Sequence, residues 1–125
     1  MTRKELDILS EKIIGVSYKI SNSLGSGFLE KVYENALAYE LRKANIKIEQ
    51  QKSIKVYYDR MVVGSYFADL IVEDTIIIEL KTAKLIDNSH LAQTLNYLKA
   101  TGLNLGLIIN FGNPRVEIKR VVNNL

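Results

Sequence analysis

Apolar residues change their spacing along this chain, and each change marks a new kind of element. Leu6, Leu9, Ile13, Val16 and Ile20 recur at intervals of three and four, drawing one apolar stripe along a first helix. Thr2 with Glu5 three residues on fits a capping box at its start. The turn that ends it contains Gly25 and Gly27 in "LGSG", residues that tolerate unusual backbone angles. A second helix is expected over roughly 28–44, with Leu29, Val32, Ala36 and Leu37 on its buried side and Asn45 as a left-handed stop.

The pattern then turns to strands. Across 46–58 and 61–72, β-branched and aromatic residues dominate, and "DR" between the runs reads as a tight turn. "EDT" separates the second run from Ile76–Lys81, so three strands joined by short turns form an antiparallel meander. A third helix is expected over about 89–101, with Leu91, Leu95 and Leu98 inward and Gly102 as its stop. "LNLGLIINF" is apolar enough for a strand buried on both faces, and a last strand is expected over 116–122 after the turn "GNPR". The order is α-α-β-β-β-α-β-β: a single domain, 1–125, with a mixed sheet and helices packed on it.

Composition narrows the chemistry. A chain of 125 residues with 47% apolar and 25% charged residues can bury a core without staples. With no cysteine, neither a disulfide framework nor a thiolate metal site is available, and His90 is the only histidine. No signal-peptide pattern opens the chain and no run is long enough to span a bilayer, so a soluble, cytoplasmic protein without membrane partners is expected. The net charge of +3 is compatible with nucleic acid, although the lysines are scattered along the chain. There is no P-loop, no dinucleotide fingerprint and no visible apparatus for acyl transfer.

One stretch, "TIIIELK", does not fit a plain core strand. Glu79 and Lys81 share a face with Ile77, and unpaired charges in a covered sheet cost several kcal/mol each. If Glu73 to Thr75 form a three-residue loop, Val72 pairs with Ile76 and Asp69 lies across from Glu79; a two-residue loop puts them on opposite faces. Opposed carboxylates repel, and a hard divalent cation removes that repulsion. Lys81 could then orient water or neutralise charge as a phosphodiester is cut. The plainer alternative is a rim ion pair between Glu79 and Lys81, worth little.

Two helical groups add candidates, each with a plainer alternative. Glu30 and Tyr33 share a helix face, where a first-turn carboxylate is also explained by the helix dipole. His90, Gln93, Thr94 and Tyr97 line one side of the third helix, opposite the leucines, as an ordinary solvated face would.

These residues resemble a known family. "GFLEKVY", Gly27 to Tyr33, matches the GxxExxY motif, and "FADLIVEDTIIIELKT" matches the D…ExK core of the PD-(D/E)XK nuclease superfamily. "HLAQTLNYLKATGLNLGLIINFG" is similar to the family's helix and following strand, so the resemblance runs from about Gly25 to Val122. It implies a restriction-endonuclease-like αβββαβ core, here with an extra N-terminal helix and a C-terminal strand. It also implies a Mg²⁺- or Mn²⁺-dependent nuclease acting on nucleic acid, with DNA as the expected polymer. By resemblance, Asp69 and Glu79 correspond to the metal-binding acids, Lys81 to the catalytic lysine, and Glu30 to a further acid from the preceding helix. Gln93 and Tyr97 match supporting helix positions, and Tyr33 stands on the same face as Glu30. Ser26, where relatives often have proline, and the glycine-free "DR" turn are departures that touch none of these residues. Still open are a catalytically silent nucleic-acid-binding or protein-assembly module on the same fold, and a homodimer paired through the last strand or first helix.

Overall fold

The computed structural model describes residues 1–125 and bears out the expected order of elements. Two helices, α1 (Arg3–Leu24) and α2 (Glu30–Lys43), precede strands β1 (Ile48–Tyr58), β2 (Met61–Val72) and β3 (Ile76–Lys81). Helix α3 (Asn88–Thr101) and strands β4 (Leu105–Asn110) and β5 (Glu117–Val122) complete the chain. The strands form one sheet in the order β1-β2-β3-β4-β5, antiparallel throughout except that β3 and β4 run parallel. A parallel pair needs a crossover, and α3 supplies it. No helix is long and apolar enough to cross a membrane.

Local chemistry sets most of the element ends. The Thr2 hydroxyl accepts the Glu5 N–H at 3.1 Å while the Glu5 carboxylate accepts the Thr2 N–H, also at 3.1 Å, closing the capping box. Asp59 and Arg60 both have positive φ, 48° and 66°, the type I′ geometry that matches strand twist in a two-residue hairpin. Glu73 and Asp74 take φ 51° and 53°, which makes 73–75 a three-residue loop and pairs Val72 with Ile76. Asn45 and Gly102 turn left-handed after α2 and α3, at φ 60° and 76°.

The core has two layers. α1 and α2 cover one face of the sheet through Leu6, Ile13, Ile20, Leu37 and Leu41, packed on Leu70, Ile76, Ile78 and Leu107. α3 covers the other through Tyr97 and Leu98, packed on Ile54, Ile71, Ile77 and Ile108. Two expected stripes need correction. On α2 the buried residues are Tyr33, Glu34, Leu37, Ala38 and Leu41, whereas Leu29 and Val32 are exposed and Ala36 only half-buried. On α3 the buried residues are Thr94, Tyr97 and Leu98, with Leu91 and Leu95 only partly covered. The small Gly106 leaves room for Thr94, and Tyr97 sits beside Glu79, so these two positions turn inward in place of the outer leucines.

Strands β1 and β2 change faces at a shared rung. In a regular strand Ile48 and Ile54, six residues apart, would point the same way. Instead Ile48 packs under α1 and α2, and Ile54 under α3. The switch falls at Gln51, whose φ of 52° is unusual for a residue with a side chain. On β2, Ala68 and Ile71 lie on one face although three apart, so the alternation breaks beside Asp69.

Candidate active site

Asp69 and Glu79 sit where the sheet opens. The β2–β3 ladder runs through Val72–Ile76 and Ile71–Ile77 to Leu70–Ile78 and stops; the next rung belongs to Asp69 and Glu79. There the carboxylates take over the acceptor role of backbone carbonyls. The Asp69 N–H donates to Glu79 Oε2 at 2.9 Å, and the Leu80 N–H donates to Asp69 Oδ2 at 2.8 Å. The β1–β2 ladder skips this rung as well, pairing Gln50 with Leu70 and Lys52 with Ala68. Gln51 fills the gap with its side chain, donating from Nε2 to Glu34 Oε1 at 2.8 Å and to Asp69 Oδ1 at 3.3 Å. Backbone held in a sparsely populated region costs on the order of 1–3 kcal/mol and tends to occur at functional sites. At Gln51 it aims the amide at both acids.

The pair is electrostatically costly. Glu79 is only 4% exposed. Burial, and then the Asp69 carboxylate beside it, push the Glu79 carboxyl up from 4.5 to about 8. Asp69 is also raised, chiefly by burial, which outweighs the stabilising N–H of Leu80. Lys81 is near enough to favour both ionised forms, but no cation stands within ion-pair distance of either acid. The rim ion pair considered for Glu79 and Lys81 is therefore absent.

This donor set fits a hard divalent cation. Two adjacent carboxylates lack a balancing charge, and Glu79 Oε1 takes no protein hydrogen bond. No three acidic or histidine side chains converge on one point, so the protein alone would supply only part of a coordination shell. Magnesium suits that arrangement, since it is commonly held by one or two carboxylates and keeps several waters. An open cleft of about 390 Å³, lined by Glu30, Glu34, Gln51, Asp69 and Thr82 among others, leaves room for them.

The other expected residues divide. Glu30 borders the cleft, but its Oε2 accepts the Thr82 N–H at 3.1 Å, tying α2 to the segment just after Lys81. Tyr33 is buried: its hydroxyl donates to the Gly25 carbonyl at 2.6 Å and accepts the Phe28 N–H at 3.3 Å, and its ring stacks on Phe111 at 4.5 Å. It fastens the glycine turn ahead of Glu30 and stands away from the carboxylates. Tyr97 faces the sheet beside Glu79, with its hydroxyl held protonated by burial and by that carboxylate, and Gln93 lies next to it, exposed. Thr94, one turn earlier, is buried against Gly106, where a Cβ would come within 2.7 Å of its methyl group. The face carrying Thr94 and Tyr97 is thus not a solvated one. His90 accepts the Asp87 N–H at 3.2 Å within the α3 cap and takes no part in the site.

Two contributions were not anticipated. Glu34, nearly fully buried, anchors Gln50 and Gln51 and pairs with Lys31 at 3.0 Å. Asn110, fully buried, holds the loop after Lys81: it accepts the Ala83 and Gly112 N–H groups at 2.9 and 3.0 Å and donates to the Ala83 carbonyl at 2.9 Å. A Cβ on Gly112 would collide with the Ala83 backbone, so only glycine lets the two loops approach. A polar residue ending an otherwise apolar strand, as Asn110 does, was the available signal.

Residues 7–121 match the family profile described as the PD-(D/E)XK nuclease superfamily. No curated protein matches the chain. Among solved structures, the crystal structure of SSO0001 superposes with a TM-score of 0.55 at 19% identity, covering 76% of this chain and 50% of that one. The chain spans about half the length of that protein, and at this identity the likeness is one of fold alone.

Proposed function

This chain belongs to the PD-(D/E)XK nuclease superfamily, and from that premise we propose that it is a divalent-metal-dependent nuclease hydrolysing phosphodiester bonds, with DNA as the expected polymer. "GFLEKVY" supports a finer assignment to the GxxExxY group. One observation carries the reading: Asp69, half-buried, and Glu79, buried, lie side by side in a break of the sheet without a compensating cation.

In this reading Asp69 and Glu79 hold Mg²⁺ or Mn²⁺, with Glu30 at the cleft's edge as a further acid. When bound, such an ion supplies Lewis acidity toward the scissile phosphate and lowers the pKa of water. The chain's own residues do the rest. Gln51 and the Leu80 N–H fix the Asp69 carboxylate, and the Asp69 N–H fixes that of Glu79. Lys81, half-buried on the same strand, brings an ammonium group to orient water or offset charge on the phosphate as the bond breaks. Glu30 holds the backbone of Thr82, steadying the exit of the strand that carries both Glu79 and Lys81.

Lys81→Ala is the test. Cleavage of labelled single- and double-stranded DNA and RNA in Mn²⁺ is expected to fall at least about a hundredfold, the scale of a lost electrostatic stabiliser. Mn²⁺ binding should persist. Wild-type protein that binds Mn²⁺ but cuts none of the four substrates contradicts the proposal and favours the catalytically silent module.

A further inference from the structure

Helix α2 carries a polar stripe that leaves the carboxylate cleft and follows the edge strand β1. Lys31, Asn35 and Arg42 are spaced by four and seven residues, which puts them on one side of the helix. The strand answers with Gln50. Its amide donates to Glu34 at 2.7 Å and to Asn35 at 2.9 Å, and accepts from Arg42 Nη1 at 3.1 Å. Glu34 in turn accepts from Gln51, which reaches Asp69. The cleft lined by Lys31 and Glu34 thus adjoins a second open groove of about 570 Å³, between Asn35, Tyr39, Arg42, Lys43 and Gln50.

Arg42 is the uncommitted charge of this stripe. Lys31 is paired with Glu34 at 3.0 Å, but Arg42 is exposed and no carboxylate lies within ion-pair distance of it. Gln50 holds its guanidinium by one nitrogen and leaves most of its donors free. Glu40 is turned toward α1, where Lys19 meets it at 3.1 Å. A cation in the last turn of a helix also suits the helix dipole. Lys43 meets that need as well, with its Nζ 5.5 Å from the centre of the Tyr39 ring and 3.9 Å from Glu40. The dipole does not call for an amide that fixes the guanidinium beside an open groove. A planar fork of donors, held in place and without an acid, matches the oxygens of a phosphate. From Lys31 to Arg42 the helix rises roughly 16 Å, the length of about five nucleotides of a helical strand.

We propose that the groove at Arg42 binds a backbone phosphate of the nucleic acid, with Asn35 and Lys31 along the path from there to the carboxylate cleft. The inference rests on the nuclease reading for the strand's destination at Asp69 and Glu79. It adds a contact on one side of the cut that is independent of sequence, because phosphates carry no base identity.

The test is fluorescence anisotropy in EDTA at about 0.1 M salt, where charges more than about 10 Å apart are largely screened. The probes are labelled 20-nucleotide strands of two unrelated sequences, each single and paired to its complement. On the form that wild type holds more tightly, Arg42→Ala should cost about tenfold, the scale of a hydrogen bond to a charged group. The loss should be equal for both sequences, and the slope of log affinity against log salt should fall by about one. Arg42→Lys should restore most of that slope. Lys119→Ala removes the same charge from β5, at the far edge of the sheet, and should stay within about twofold of wild type. Thermal midpoints and Mn²⁺ titration of each variant separate a lost contact from a collapsed fold. Arg42→Ala that binds like Lys119→Ala, a loss that differs between the two sequences, or wild type without affinity for any of the probes overturns the proposal. So does polyglutamate that displaces the strand as well as unlabelled nucleic acid does at equal charge, since the groove would then take any polyanion. Binding that needs Arg42, without cleavage in Mn²⁺, supports the groove's role and overturns only the nuclease reading.

Discussion

Replacing Glu79 by Gln is expected to make the metal-free protein more stable at pH 8, raising its thermal midpoint by roughly 5 °C for a gain of about 1–2 kcal/mol. A change at a buried hydrogen-bonded residue usually destabilises, so the sign is informative. Glu79 keeps its proton in the folded chain up to about pH 8, whereas unfolding lets it go near 4.5. Its favourable contribution is complete below about 4.5 and is lost as pH rises through 8. Glutamine has nearly the same shape, can accept the Asp69 N–H, and carries no charge to bury. The gain should therefore be small at pH 5 and large at pH 8. Calorimetric scans of both proteins in EDTA at the two pH values check it. A lower midpoint for the variant at pH 8 would mean that Glu79 is ionised at little cost and already has a partner.

If the pair holds a metal as proposed, the same proton controls its affinity. Affinity for Mn²⁺ is expected to climb about tenfold per pH unit between roughly pH 6 and 7.5, and to level off above 8, because the ion displaces one proton shared by the pair. Both carboxyls are shifted upward, so protonation and metal compete for the same oxygens. Titrations in buffers of different ionisation enthalpy count the proton released. An affinity that is flat across this range contradicts the description of the pair as protonated in the free protein. The consequence for function is an activity that rises through neutral pH with metal occupancy.

Much of this was legible in the sequence, for identifiable reasons. β2 and β3 begin and end where expected because β-branched runs and the "EDT" loop are strong local signals. The same loop length fixed the register, and with it the opposition of Asp69 and Glu79. What escaped were side chains whose direction depends on neighbours. Apolarity alone put Leu29 and Val32 on the inner face of α2, but the helix buries Tyr33 and Glu34, whose partners at Gly25 and Gln51 come from other elements. Thr94 and Tyr97 read as a solvated face for the same reason: Tyr97 lies beside Glu79 on the sheet, and Thr94 fills the space over Gly106, its hydroxyl without a partner. Gln51 gave no warning of its left-handed backbone, since nothing local asks for it. The strain makes sense only once Asp69 and Glu34 stand on either side.

The site also explains why the surrounding structure is so firmly tied. Glu30 holds Thr82, Asn110 holds Ala83, and Glu117 accepts the Ile86 N–H at 3.0 Å, so the segment leaving β3 is fixed at three successive points. Under the proposed function, Glu79 and Lys81 on one short strand would need such support, because small displacements of metal-holding and charge-stabilising groups cost catalysis heavily.

The decisive experiment is a calorimetric Mn²⁺ titration at pH 8 of wild type beside Asp69→Asn and Glu79→Gln, each shown to be folded. One ion bound by wild type and none by either variant is the result predicted for a carboxylate pair built to hold a cation. Folded wild type that binds no Mn²⁺, or variants that bind it as tightly as wild type, would show that the break in the sheet at Asp69 and Glu79 serves some other purpose.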